Sequence, residues 1–240
     1  PPRAGKVPAR QGRPLGGQTV FIAAELLSDT LIWAGIVAAV IALPLLIRVT
    51  EWRALTVPLR QHLLFASLLF LVVLWLISVR TLEGIWLHFL GVTAVTLLIG
   101  LRFTLLIGAL ACTIHALLIE QPLAAAPVAW LVSVVCPASL SRLLVYWLRR
   151  RPQSNLFIYL LGAGFGGGAL AALGTALASL LVLWFSGQVD MVSAAVENWP
   201  LMTLILFPEG FINGMVLSVI VVLNPEAVKT FDSDKYMGEG

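Results

Sequence analysis

From about Val20 onward the chain is a succession of long apolar runs separated by short polar breaks. Measured against the ~20 residues a helix needs to cross hydrocarbon, the pattern predicts about seven membrane-spanning helices. They fall near residues 23–47, 61–79, 84–100, 103–119, 124–147, 156–186 and 199–223, the third and fourth short and the sixth long. Open strands would leave backbone groups unsatisfied in lipid, and the runs lack the strict alternation of barrel strands. The expected fold is therefore all-α, a polytopic membrane helical bundle.

The polar breaks are unequal in charge. On one side of the predicted bundle fall Arg48, Arg53, Arg60, Arg102, Arg142, Arg149, Arg150, Arg151, Lys229 and Lys235; on the other falls only Arg80. Basic loops stay cytoplasmic, so the pattern predicts an outer N-terminus and a cytoplasmic C-terminus. Glu25, Asp29, Glu83, Glu120, Asp190 and Glu197 then lie on the outer side. The leading PPRAGKVPARQGR contradicts this bias, with Arg3, Lys6, Arg10 and Arg13 on the outer side. It makes a poor signal peptide, because the run that follows is too long and carries Glu25 and Asp29. The expectation is an untranslated or disordered leader over 1–19, with translation starting near Val20, a transmembrane domain over 20–226 and a cytoplasmic tail over 227–240. The basic linker RRRPQSN, 149–155, reads as an anchor on lipid phosphates rather than a nucleic-acid site.

Composition agrees: 60% of the 240 residues are hydrophobic and 11% charged, against roughly a quarter charged in soluble domains. Mean hydropathy is +0.98. Nothing is left for a separate aqueous domain, and there is no Walker motif, Gly-x-Ser-x-Gly or His-Glu-x-x-His. An enzyme is not expected. Cys112 and Cys136 both sit in apolar runs and offer no disulfide framework.

Ionisable residues inside the runs are the candidates for function, because an unpaired charge in hydrocarbon is costly. Glu209, in FPEGFINGM, lies roughly 15 Å into the last span at 1.5 Å per residue. Pro208 removes one helical hydrogen bond and Gly210 and Gly214 ease a bend, predicting a kink with Glu209 and Asn213 on one face. Two roles stay open: Glu209 bonded to a neighbouring helix end and holding the bend, or Glu209 balancing a cation or proton inside the bundle. In the first case Glu209→Gln is expected to be nearly silent.

His88 and His115 fall at similar depth on the outer half of the predicted third and fourth spans, and Cys112 precedes His115 by one turn. The spacing is acceptable for ligands of a divalent transition metal, but the signal is weak, since a lone intramembrane histidine is more often a hydrogen-bonding packing residue. Two small-residue faces bear on assembly. Ala34, Ala38 and Ala42 form one in the first span, a packing face or a docking surface for another subunit. Gly162 with Gly166 and Gly164 with Gly168 form the other in the sixth, expected to pack within the chain.

EGIWLHFLGVTAVTLLIGLRFTLLIGALACTIHALL and PEGFINGMVLSVIVVLNPE resemble the core block and last helix of the CbiM-type permeases of energy-coupling factor transporters for cobalt and nickel uptake. AELLSDT and TFDSDKY are similar to the ends of a divergent bacterial branch, without the N-terminal Met-His-Ile of the well-known members. The likeness runs from about Glu25 to Tyr236. It implies a substrate-capture component in the bacterial inner membrane, with no resident cofactor and with Co²⁺ or Ni²⁺ as cargo. It also implies His88 as metal-binding histidine, the alanine face of the first span toward a scaffold transmembrane subunit, and cytoplasmic ATPase subunits as partners, with no nucleic acid. The competing expectation is a structural or assembly membrane protein that keeps the fold without the metal site.

Overall fold

The structure is a computed structural model that describes residues 22–80, 86–151 and 155–237. It is a helical bundle. Its elements are α1 (Asp29–Val49), α2 (Pro58–Leu76), a ribbon of β1 (Ser78–Arg80) and β2 (Trp86–His88), α3 (Val92–Ile99) and α4 (Leu101–Leu118). A continuous rod follows, made of α5 (Ala126–Trp130), a π-helical stretch (Leu131–Val135) and α6 (Cys136–Arg149). A second π-helical stretch (Ile158–Gly166) leads into α7 (Gly167–Phe185), then a short α8 (Val189–Glu197), α9 (Thr203–Leu223) and, in the tail, α10 (Ser233–Met237). The expected leader, 1–19, lies outside the described residues.

Among the described residues, 6 helices are long and apolar enough to cross a membrane, not the seven expected. The correction falls on the third span, 84–100. Its sequence is as apolar as its neighbours, but the chain forms antiparallel β2 paired with β1, then turns at Gly91 and is helical only from Val92 to Ile99. Gly91 takes φ 64°, and a Cβ there would stand 2.7 Å from Phe70 Cε1 and 2.6 Å from Leu74 Cδ2. That left-handed conformation and that close approach to α2 require glycine. The eight-residue α3 is about 12 Å long at the helical rise, too short to span hydrocarbon alone. Every one of its residues is buried.

The two ends of the bundle remain those the charge pattern separates. At one end Ala24 N–H donates to Gln121 Oε1 (3.4 Å) and Ser28 N–H to Ser186 Oγ (3.2 Å), so the starts of α1 and α5 meet the ends of α4 and α7. At the other, Arg102 pairs with Glu51 (3.0 Å), Arg60 Nη1 donates to Ala227 O (2.9 Å) and Arg149 Nη2 to Thr230 O (2.7 Å). The broken third stretch carries the chain back to this basic end, where Gly100 packs against Lys229.

Helix α9 approaches α7 and the π-helical stretch before it through glycine. A Cβ on Gly168 would stand 3.0 Å from Gly210 Cα, and one on Gly164 would stand 3.0 Å from Gly214 Cα. Two small-x-x-x-small faces therefore meet inside one chain, as their spacing allows in lipid. Gly210 and Gly214 thus serve close approach, and α9 runs on through Pro208 as one helix. In α1 the residues turned inward are Gly35 and Ala39. Ala34 is exposed, and Ala38 and Ala42 are half-buried.

Candidate functional site

Breaking a helix inside an apolar bundle leaves backbone N–H groups at the new start without intrahelical partners, and in lipid no water replaces them. At the break before α3, three such N–H groups, those of Leu90, Gly91 and Ala94, are met by α9. Leu90 N–H donates to Glu209 Oε2 (2.7 Å) and Gly91 N–H to Glu209 Oε1 (2.9 Å). Ala94 N–H donates to Asn213 Oδ1 (2.7 Å). Asn213 Nδ2 in turn donates to Glu209 Oε1 (2.6 Å) and Glu209 O (2.7 Å), which fixes both side chains on one helical turn. Glu209 is 1% exposed and Asn213 0%. A carboxyl group and an amide from a distant helix thus perform the N-capping that a local Ser, Thr or Asp ordinarily performs, and the carboxyl oxygens sit at the positive end of the helix dipole.

Neighbouring contacts hold the same junction from the other side. Trp75 Nε1 donates to Leu90 O (3.0 Å), and the Trp75 ring meets that of His115 edge-on, centroids 6.2 Å apart. Thr93 and Ser141 share a hydrogen bond (2.8 Å) that ties α3 to α6.

The far end of α3 is capped as well. Lys229 N–H donates to Leu98 O (3.0 Å) and Thr230 N–H to Leu97 O (3.1 Å). Thr230 Oγ1 donates to Leu97 O (2.9 Å) and accepts from Tyr159 (2.7 Å). Phe231 and Tyr236 stack at 5.5 Å between centroids and close over Tyr159. The tail motif TFDSDKY is therefore packing chemistry, with Lys235 Nζ donating to Arg149 O.

The residues singled out from sequence are placed unequally. Glu209 and Asn213 come together, as their spacing required. Pro208 lies one position before Glu209 within α9. His88 ends β2, two residues before the capped Leu90; its side chain lies outside the described residues. His115 is wholly buried. Cys112 lines a cavity of about 20 Å³ with Ala116, Gln121, Ala125 and Ala126. No group of three or more His, Cys, Asp or Glu positioned to hold a metal occurs among the described residues. What sequence reasoning missed is the partner of Glu209: the backbone at Leu90, Gly91 and Ala94. Its one local signal is Gly91 itself.

The family described as CbiM, the cobalt uptake substrate-specific transmembrane region, matches residues 21–227. The chain belongs to that family. It is a membrane-embedded component of cobalt uptake. Comparison with curated proteins and with solved structures returns no match. The match extends from the last residues before α1 to the turn at Ala227, and so contains α3, its carboxylate cap and all six long helices.

Proposed function

We propose that the chain is the substrate-capture subunit of an energy-coupling factor type transporter, taking up a divalent transition-metal ion, Co²⁺ or Ni²⁺. The observation that supports this reading is the break between His88 and Val92. Non-helical backbone at membrane depth is tolerated where it is buried in protein or lines a cavity, and transporters place substrates at such breaks. Here the break sits two residues beyond a histidine and is held by a buried carboxylate. In this reading His88 contacts the ion, and His115 and Cys112 flank it from α4. The basic end faces the cytoplasm of a bacterium, following the positive-inside bias, and meets ATPase subunits there. A scaffold transmembrane subunit lies along the Ala34, Ala38 and Ala42 side of α1.

Metal content of the purified protein after exposure to Co²⁺ or Ni²⁺, beside His88→Ala, tests it. The expected result is metal bound by the wild type and lost in the variant. Equal content in both removes His88 from the site.

One observation favours a second reading, a membrane protein that keeps the fold without moving a metal. Both Glu209 oxygens are already engaged by N–H groups of this chain, so the deepest carboxylate is occupied structurally. Uptake of radiolabelled cobalt no greater than in cells lacking the protein would support that reading.

A further inference from the structure

At the basic end a cavity of about 320 Å³ lies between the turn Trp52–Thr56, the start of α2, the α3–α4 junction and the tail. That volume reaches the lower end of the roughly 300–1,000 Å³ typical of small-ligand sites. Leu55, Leu64, Ile99 and Phe103 give it an apolar floor, and Arg60, Lys229 and Glu51 stand on its rim.

Among the described residues the two cations on the rim have no carboxylate partner. Glu51 is committed to Arg102. Arg60 is held by the carbonyls of Glu226 and Ala227, neutral acceptors that fix the guanidinium without cancelling its charge. Lys229 lies 5.7 Å from the centroid of the Phe103 ring, with its stem against Gly100. Among the described residues no carboxylate lies within salt-bridge distance of either cation. A held guanidinium, Arg60, and the Lys229 ammonium therefore line one cavity with an apolar floor at the end of a membrane bundle.

We propose that this cavity binds an anionic phospholipid, its phosphodiester accepting hydrogen bonds from Lys229 and from the remaining N–H groups of Arg60. The first methylenes of its acyl chains then lie on Leu64 and Phe103. Basic pockets between transmembrane helices take such headgroups. A free phosphate shares the anionic chemistry but leaves the apolar floor unmatched, and a choline headgroup brings a third cation to a rim that already holds two.

The test uses the full purified chain, delipidated in neutral detergent and equilibrated with equal phosphatidylglycerol and phosphatidylcholine, with retained lipid counted by native mass spectrometry. Wild type is expected to retain phosphatidylglycerol about tenfold or more over phosphatidylcholine. Lys229→Gln keeps the stem and removes the charge, and is expected to cut that preference about fivefold, the effect of one basic residue beside anionic lipid. Lys229→Arg is expected to restore it. Arg150→Gln, which removes a cation stacked on Tyr146 away from the cavity, is expected to leave it unchanged. Equal retention of the two lipids by wild type, an unaltered preference in Lys229→Gln, or a loss in Arg150→Gln as large as in Lys229→Gln would overturn the proposal. Displacement of the lipid by millimolar inorganic phosphate would overturn it in favour of a free anion.

Discussion

Glu209 and Leu90, 119 positions apart in the chain, are joined by a 2.7 Å hydrogen bond from the Leu90 N–H to the Glu209 carboxylate. This relationship answers why an acidic residue stands in the middle of an apolar helix. It also changes the expectation for Glu209→Gln. Three donors converge on two carboxylate oxygens, whereas an amide offers one oxygen and turns an N–H toward the others. One buried donor is left unsatisfied, at a cost of about 1–3 kcal/mol. Thermal unfolding of the detergent-solubilised variant should show a lowered midpoint, and Glu209→Ala a larger drop. An unchanged midpoint for Glu209→Gln would mean that the cap contributes little.

Gly91→Ala tests the turn that the cap holds. The added methyl meets Phe70 and Leu74 at under 3 Å, on a backbone with φ 64°. Left-handed strain for a non-glycine residue is of order 1–3 kcal/mol, before any displacement of α2. The expected result is loss of thermal stability comparable to that of Glu209→Ala. A stable variant that crystallises with α3 unmoved would refute the requirement for glycine.

The tail is predicted to be a structural cap on α3. Thr230→Val keeps the side-chain shape but leaves Leu97 O and the Tyr159 hydroxyl short of a partner. Limited proteolysis should then cleave near residues 224–237 faster than in wild type, because loss of these bonds, worth about 1 kcal/mol each, raises the population of the undocked tail. Identical cleavage rates would place the stabilisation elsewhere in the aromatic cluster.

Broken or not, the third stretch must still return the chain to the basic end. With single cysteines in intact cells, an impermeant thiol reagent should label Gln121→Cys, at the end of α4, and spare Arg102→Cys, at its start. Labelling of Arg102→Cys with protection of Gln121→Cys would invert the bundle in the membrane.

The sequence by itself determined the class of fold, the helical runs and the separation of charges into two ends. Those properties follow from hydrophobic length and loop composition, which are local. The single face shared by Glu209 and Asn213 was equally legible, since i and i+4 spacing requires nothing beyond one helix. The small-residue spacing around Gly164 and Gly168 announced a close approach without naming the partner. The tertiary structure decided the rest. An apolar run such as 84–100 reads alike whether it forms one helix or a strand followed by half a helix, because burial, not periodicity, satisfies both. That α3 exists as an isolated eight-residue helix depends on hydrogen bonds from α9 at one end and the tail at the other. Such bonds join positions more than 100 residues apart, and no local pattern records them.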